Sequence, residues 1–206
     1  MWGLVESGSI TKIINKPKAM VINNVRHSKN IFELWSKSEL EAIGIYEVEF
    51  DDTNKKDEKW YINTNQSFAF SGGKITASYG SATAKAHADT LWTNQDKTDG
   101  KIPDGKDVGD VAVEGLKTRL IRTVKKQAAG ILQDTDWYIV RKADASTAVP
   151  SAITNHRAAV RTKAAEMETA ITNASDTPAL ETLYTYTKQE DGSVTRPLGE
   201  LPTLES

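Results

Sequence analysis

Residues 132–142 read LQDTDWYIVRK, and this stretch decides how the second half of the chain is built. It places the aromatic pair Trp137-Tyr138 just before the cationic pair Arg141-Lys142, with no catalytic group arranged among them. Asp134-Thr135-Asp136 offers capping side chains for a helix that starts at Trp137. The stretch therefore predicts a helix start with the chemistry of a docking surface or of a tightly packed corner.

Helical periodicity flanks this stretch on both sides. Over residues 111–132, apolar side chains recur about every 3.5 residues. After Pro150, Ser151 is a natural N-cap, and the apolar positions that follow fall at i, i+7, i+14 and i+18, a seam pattern. We expect the two helices to pair antiparallel, with a last short helix capped by Asp176-Thr177-Pro178. The apolar positions are Val113, Leu116, Leu120, Val124 and Ile131 in the first helix, and Ile153, Val160, Met167 and Ile171 in the second.

The first 80 residues have the pattern of strands and tight turns. Ser7-Gly8 and Asn23-Asn24 each separate two short apolar runs, which predicts two hairpins. Ser36 with Glu39 has the spacing of a capping box, and Gly44 is placed to end the short helix that follows. The alternation after Gly44 predicts a further strand. The fold class is therefore α+β, with an N-terminal antiparallel β-rich domain followed by a C-terminal helical hairpin.

The remaining segments are poor in apolar side chains. Residues 81–110 are rich in Gly and Asp and contain several turn signals, which predicts a linker. The five aspartates between residues 96 and 110 suggest a calcium site, but their spacing departs from the EF-hand pattern, so a solvated loop is the better interpretation. The predicted organisation is a β-rich domain with one short helix at 1–80, the linker at 81–110, a helical hairpin domain at 111–187, and at 188–206 a tail that is extended or ordered only on a partner.

Composition limits the classes of function. The chain has 206 residues, a net charge of −2, no cysteine and three histidines in no ligand spacing. Disulfides and thiolate chemistry are excluded, and no global charge draws the protein to nucleic acid or lipid. The absence of a long apolar run and of a signal-peptide pattern predicts a soluble protein made inside a cell, with no membrane insertion. The hydrophobic fraction, 38 %, is low, so we expect part of the chain to be thinly packed, extended or in contact with a partner.

No constellation of catalytic residues is recognisable. The sequence contains no GxSxG elbow, no phosphate-binding GxxxxGK[ST] loop and no HExxH pair. A pair of glycosidase carboxylates is not excluded among 28 acidic residues, but nothing nominates one. We therefore expect a protein that is not an enzyme and has no cofactor or metal. A basic patch at the end of the 111–132 helix suits the helix dipole better than nucleic acid, because no aromatic side chains alternate with the cations.

Five side chains are candidates for binding a partner protein. Trp92 lies in a polar stretch, where an exposed indole would be an interface anchor. Trp137 and Arg141 are i, i+4 neighbours if their segment is helical, so the cation either lies over the indole to finish a surface or helps to dock another chain. The candidate partner-binding residues are Trp92, Trp137, Tyr138, Arg141 and Arg157.

Two blocks of sequence carry a family resemblance. The first comprises MWGLVE (1–6), NIFELWS (30–36), ELEAIGIY (39–46) and YINT (61–64). The second comprises TDWYIVRK (135–142), Val149-Pro150, Arg157, Arg161 and ETAI (168–171). Both blocks resemble small tail proteins of tailed bacteriophages, including phages of cyanobacteria and marine bacteria. The second block is similar to the C-terminal region of tail-fibre assembly proteins and of some tail fibres.

The resemblance implies a function without catalysis or cofactor. It implies binding to a tail-fibre or baseplate protein, either as a fibre component of the virion or as a chaperone of fibre assembly. The chain would then be made in the host cytoplasm and located in the virion tail. Two features depart from a compact chaperone: the long segment 81–110 and the proline-containing tail. The alternative function is a host-receptor or glycan-binding module, in which the β-rich domain contacts a glycan through Trp or Tyr side chains.

Overall fold

The computed structural model describes residues 1–204, so the last two residues of the predicted tail, 205–206, lie outside the described residues. The chain forms two compact units, Met1–Thr83 and Ala84–Ser206. The first unit contains the β-sheet and the second contains the long helices, which confirms an α+β fold with a helical C-terminal part.

The first unit contains one main sheet, two short helices and a separate hairpin. The order of strands in the main sheet is β2-β1-β5-β8-β7. All neighbours are antiparallel except β5 and β8, which are parallel, so the sheet is mixed. The edge strands β2 and β7 approach each other, and the sheet is curled. The elements are β1 (Trp2–Glu6), β2 (Ser9–Ile14), β3 (Met20–Ile22), β4 (Val25–His27), α1 (Ile31–Leu34), α2 (Lys37–Ala42), β5 (Ile45–Asp51), β6 (Tyr61–Ile62), β7 (Ser67–Ser71) and β8 (Lys74–Ser78), with β9 (Thr83–Ala84) at the boundary of the unit.

Both predicted hairpins are present, and each turn uses residues that tolerate positive φ. Ser7 and Gly8 have φ of 50° and 78° between β1 and β2, and Asn23 and Asn24 have φ of 49° and 64° between β3 and β4. Two consecutive residues with positive φ give a turn whose twist matches that of the flanking strands. The local sequence therefore sets the register of both hairpins.

The two faces of the main sheet bury separate apolar clusters. One face is covered by α1, α2 and the β3–β4 hairpin, which bury Ile14 and Ile45 completely. The other face encloses a smaller cluster around Ile75 and Ala77, with Phe68 and Phe70 partly buried against it. Because side chains alternate across a strand, β1 and β5 contribute to both clusters, whereas β8 contributes Ile75 and Ala77 to the second one.

The entry and exit of α2 are fixed by local chemistry. The Ser36 hydroxyl accepts a hydrogen bond from the backbone N–H of Glu39, and the Glu39 carboxylate accepts one from the N–H of Ser36 at 2.7 Å. This is the predicted capping box. Gly44 follows the helix with a φ of +87°, and a Cβ there would lie 2.6 Å from the Val5 carbonyl oxygen. Glycine is therefore required where the helix meets β5.

The second unit is built on two long antiparallel helices. The Lys117 ammonium near the start of α4 donates to the Thr172 carbonyl near the end of α6, and Lys125 lies 3.4 Å from Glu168. Val124 and Val160 are almost completely buried between these helices, on the faces that the periodicity predicts. The elements are β10 (Thr90–Leu91), α3 (Asn94–Thr98), β11 (Val111–Val113), α4 (Leu116–Gln133), α5 (Asp136–Ala145), α6 (Ser151–Asn173), α7 (Thr177–Tyr184), β12 (Thr187–Lys188) and β13 (Val194–Thr195).

The segment predicted as a linker contains regular elements and caps the first long helix. Strands β10 and β11 pair with each other, and α3 lies between them in the chain. The Asp89 carboxylate accepts hydrogen bonds from the Gly115 N–H and the Thr118 hydroxyl, both at 2.7 Å. The N–H groups of Leu116 and Lys117 donate to the carbonyls of residues 86 and 87. This segment therefore satisfies helix donors that α4 cannot satisfy internally.

The cap formed by Asp89 predicts an acid-sensitive contribution to stability. Hydrogen bonds from Gly115 and Thr118 lower the pKa of the Asp89 carboxyl below its usual value. A lowered folded-state pKa stabilises the fold above the unfolded pKa of about 3.9, and this contribution is lost as the pH falls through the folded pKa. We expect Asp89→Asn to be less stable than the parent at pH 7, with the difference narrowing below pH about 4. Urea unfolding followed by helical circular dichroism at both pH values measures this, and a constant difference would contradict the cap.

The described part of the tail is folded against its own unit. Strands β12 and β13 form a hairpin, and Leu198 is only 2 % exposed. The Leu198 N–H donates to the Leu183 carbonyl in α7 at 3.0 Å. The expectation of an extended tail is corrected up to residue 204, because one buried leucine and a short hairpin suffice to hold this segment.

Candidate functional site

Helix α5 is the most exposed apolar element of the second unit. None of its side chains is buried, although it contains Trp137, Tyr138, Ile139 and Val140 in succession. Trp137 is 51 % exposed, Ile139 44 % and Val140 65 %. Val140 lies one turn from Trp137 at i, i+3, so the two form one continuous apolar patch. We refer to Trp137 and Val140 as the α5 patch; Ile139, two residues after Trp137, lies on another side of the helix.

A stack of three side chains supports this patch. The rings of Trp137 and Tyr138 lie 3.7 Å apart with an interplanar angle of 30°. The Arg141 guanidinium carbon lies 4.7 Å from the Trp137 centroid and 5.3 Å from the Tyr138 centroid. Arg141 Nε is buried without a hydrogen-bond acceptor among the described residues. The ring faces take the place of an acceptor, since their electron density attracts the cation.

Arg157 of α6 holds the start of α5 in place through hydrogen bonds. Its guanidinium donates to the Leu132 carbonyl at 2.7 Å, to the Thr135 hydroxyl at 2.6 Å and to the Asp136 carboxylate at 2.8 Å. Arg157 is 7 % exposed, because it belongs to the face of α6 that is turned inward. Its charge is therefore used inside the unit, and this candidate partner-binding residue is not available at the surface.

Of the five predicted residues, Trp137, Tyr138 and Arg141 form one cluster, and Trp92 lies outside it. Trp92 is between β10 and α3 and is half-buried. Its backbone N–H donates to the Asp110 carbonyl, and its own carbonyl accepts from the Gly109 N–H, both at 2.9 Å. The Trp92 indole is half-buried, and its backbone is paired with residues 109–110.

The first unit contains a concave feature that was not singled out from the sequence. It is a pocket of about 200 Å³ between the main sheet and the two short helices. The ring centroids of Trp2 and Phe32 are 4.9 Å apart, and Trp35 packs edge-on against His27 at 5.5 Å. The spacing of Phe32 and Trp35 by three residues was the available signal, since it puts both rings on one side of a helical turn. The lining residues are Trp2, Phe32, Trp35, Lys37, Leu40, Ile45 and Glu47.

The aspartates of the 96–110 segment are used in caps and turns. Asp96 closes a capping box with Thr93, and these hydrogen bonds lower the pKa of the Asp96 carboxyl. Asp99 accepts from Gln95 and Lys101, and Asp110 accepts from the Asp107 N–H. Within residues 1–204, no group of three or more His, Asp or Glu side chains is placed to hold a metal ion.

The cations of α4 make contacts within the second unit. Arg122 pairs with Glu114, Lys125 pairs with Glu168, and Lys117 donates to a carbonyl of α6. Each of these three positive charges has a partner in the same unit, which leaves less charge to attract phosphates. As for membranes, none of the helices in the described part of the chain combines the length and apolarity needed to span a bilayer.

Comparisons with known proteins give no family assignment. No protein-family model, no curated protein and no solved structure matches the chain.

Proposed function

We propose that this chain is a non-enzymatic tail protein of a tailed bacteriophage and that it binds the tail fibre through the α5 patch. One observation carries the proposal. The TDWYIVRK block, which resembles tail-fibre-associated proteins, has its residues 136–142 in helix α5, and no side chain of this helix is buried. A sequence that leaves an indole and two β-branched apolar side chains in water has a use for them outside its own core.

The composition of the patch suits an interface that holds a protein partner. Tryptophan and arginine are over-represented among the residues that dominate binding energies, particularly when they are rigidly held. The Arg141 stack and the Arg157 hydrogen bonds fix Trp137 and its helix before any partner arrives. Such pre-organisation lowers the entropy cost of association. The partner is either the fibre itself or the baseplate protein to which the fibre is attached.

A charge placed in the α5 patch tests whether this patch binds the fibre. We expect Val140→Asp to weaken binding to the fibre protein at least about tenfold, because a carboxylate would be desolvated against an apolar surface. Stability should change by less than about 0.5 kcal/mol, since Val140 is 65 % exposed. Co-purification of tagged protein with the fibre, followed by biolayer interferometry, measures the effect.

The matched control is Val194→Asp, which changes a valine that is 59 % exposed in β13 of the same unit. This variant should bind the fibre like the parent. Equal loss in both variants would indicate a general effect of charge, and no loss in Val140→Asp would refute the role of the α5 patch. Failure of the parent to co-purify with fibre or baseplate protein would refute the function itself.

Mass spectrometry of purified phage particles separates the two forms of the proposal. A chain present in mature virions in proportion to the fibres is a structural component of the tail. A chain found only in infected cells, bound to fibre, is an assembly chaperone that leaves before the particle is complete. In both cases the protein is made in the host cytoplasm.

A second candidate function is supported by the aromatic pocket of the first unit. An open pocket with three aromatic rings and charged side chains among its lining residues suits attachment to a host-surface glycan. Binding of the full chain to host cells, abolished by prior removal of surface polysaccharide, tests this function independently of the fibre.

A further inference from the structure

The pocket in the first unit brings an apolar floor together with two opposite charges. Leu40 and Ile45 are buried beneath it, and Trp2 and Trp35 are each partly exposed. Glu47 stands directly across from Trp2 in the register of β1 and β5, so both side chains project from the same face of the sheet.

The charges at this pocket come from different elements. Lys37 opens α2 and lies 3.8 Å from Glu41, so part of its charge is already balanced. Glu47 makes no ion pair within residues 1–204 and is exposed. The pocket thus offers one carboxylate acceptor and one ammonium donor beside aromatic faces.

We propose that this pocket binds a single neutral pyranose ring of a glycan, with Trp35 and Trp2 against its C–H face and Glu47 and Lys37 on its hydroxyl groups. A sugar ring has an apolar face and a rim of groups that both donate and accept hydrogen bonds. The pocket has the complementary pattern, because its rings are apolar and its two charged side chains provide an acceptor and a donor. Hydrogen bonds to charged groups are the stronger ones, so two of them orient the ring.

Size and charge argue against other occupants. A volume of about 200 Å³ is smaller than the roughly 300–1,000 Å³ of pockets that hold drug-sized ligands, which fits one ring better than a peptide segment. Aromatic cages also bind quaternary ammonium groups, but Lys37 would place a second cation at this site. A carboxylated ring would meet Glu47. A neutral sugar ring avoids both repulsions.

This inference rests on the second candidate function and deepens it by naming the site and the ligand class.

The experiment uses the full chain and four probes: the methyl glycosides of glucose, galactose, mannose and N-acetylglucosamine. Indole N–H signals in ¹H–¹⁵N NMR spectra report on each tryptophan separately. We expect at least one glycoside to shift the Trp2 and Trp35 signals in a saturable way, and to leave the Trp92 and Trp137 signals unchanged.

Glu47→Gln is the decisive variant, because it keeps the shape of an exposed side chain and removes only its charge. We expect it to weaken binding of the active glycoside about tenfold. Glu49→Gln, two residues further along the same face of β5, should bind like the parent, since Glu49 is not among the residues lining the pocket. Trp35→Ala should abolish the shift of the remaining Trp2 signal. A circular dichroism spectrum like that of the parent would confirm that this variant is folded.

Two results would overturn the inference: no saturable shift with any of the four glycosides, or equal affinity in the parent and Glu47→Gln. Host-cell binding by the full chain distinguishes its failure from that of the second function. If the parent and Glu47→Gln bind cells equally well, the second candidate function stands, but this pocket is not its site. Absence of cell binding by the parent would reject the function.

Discussion

Gly115→Ala is expected to destabilise the helical unit by about 3 kcal/mol, at the upper end of the range for an inserted methyl group that meets packed atoms. A Cβ at this position would lie 2.3 Å from both the carbonyl carbon and the carbonyl oxygen of Ala88, and 2.8 Å from the His87 carbonyl oxygen. These are backbone atoms, and the chain that carries them is bound to the start of α4 by the Asp89 cap. Relief of the clash therefore requires loss of that cap.

Gly130→Ala is the control in the same helix. No atom outside the helix backbone lies within 4 Å of a Cβ placed at Gly130, which is exposed. The change should stabilise the unit by about 0.5–1 kcal/mol, because alanine loses less backbone entropy than glycine in a helix. Urea unfolding monitored at 222 nm follows the helices of this unit. The two variants should move the midpoint in opposite directions, and a small shift of the same sign in both would show that residues 86–89 do not pack as described.

The contrast between these two glycines indicates what the sequence can predict. Features set by neighbouring residues are predictable: the two hairpins, the Ser36–Glu39 capping box and the apolar faces of α4 and α6 all follow from local spacing. Their energies come from groups within a few residues or from a periodic stripe. The fold class, confirmed as α+β, is a consequence of these local patterns.

Contacts between residues distant in the chain were not predictable. Asp89 accepts from the N–H of Gly115, the N-cap residue of α4 that lies 26 residues later, and Arg157 donates to a carbonyl that lies 25 residues before it. Asp89 has no local pattern that separates it from exposed aspartates. Arg157 lies between Ile153 and Val160 on the apolar face of α6, but this spacing does not identify the groups to which its guanidinium donates. The parallel pairing of β5 and β8 is similarly non-local, because an alternating strand carries no signal of its neighbour's direction.

The candidate sites divide in the same way. Trp137, Tyr138 and Arg141 are close in sequence, so their cluster could be anticipated from helical spacing alone. The aromatic pocket draws Trp2, Trp35 and Glu47 from a strand, a helix end and another strand. Only the folded sheet brings these three together, so the pocket could not be anticipated from local spacing.

Leu198→Ala is expected to destabilise the helical unit by about 3 kcal/mol, within the range measured for truncating a buried leucine. Leu198 is 2 % exposed, and its N–H is bound to the Leu183 carbonyl of α7. Removal of the side chain leaves a cavity beside a backbone hydrogen bond that keeps the chain from moving inward to fill it. Urea unfolding at 222 nm again measures the change.

Leu204→Ala is the matched change six positions further along the same tail. Leu204 is 45 % exposed, so its truncation should alter the free energy of unfolding by less than about 0.5 kcal/mol. Equal, small effects at both leucines would mean that the tail does not take part in cooperative unfolding. The tail would then be available to bind a partner. A large effect at Leu198 alone means that this segment is committed to its own unit. The tail is then not available to bind a partner, which favours the α5 patch as the proposed contact with the fibre.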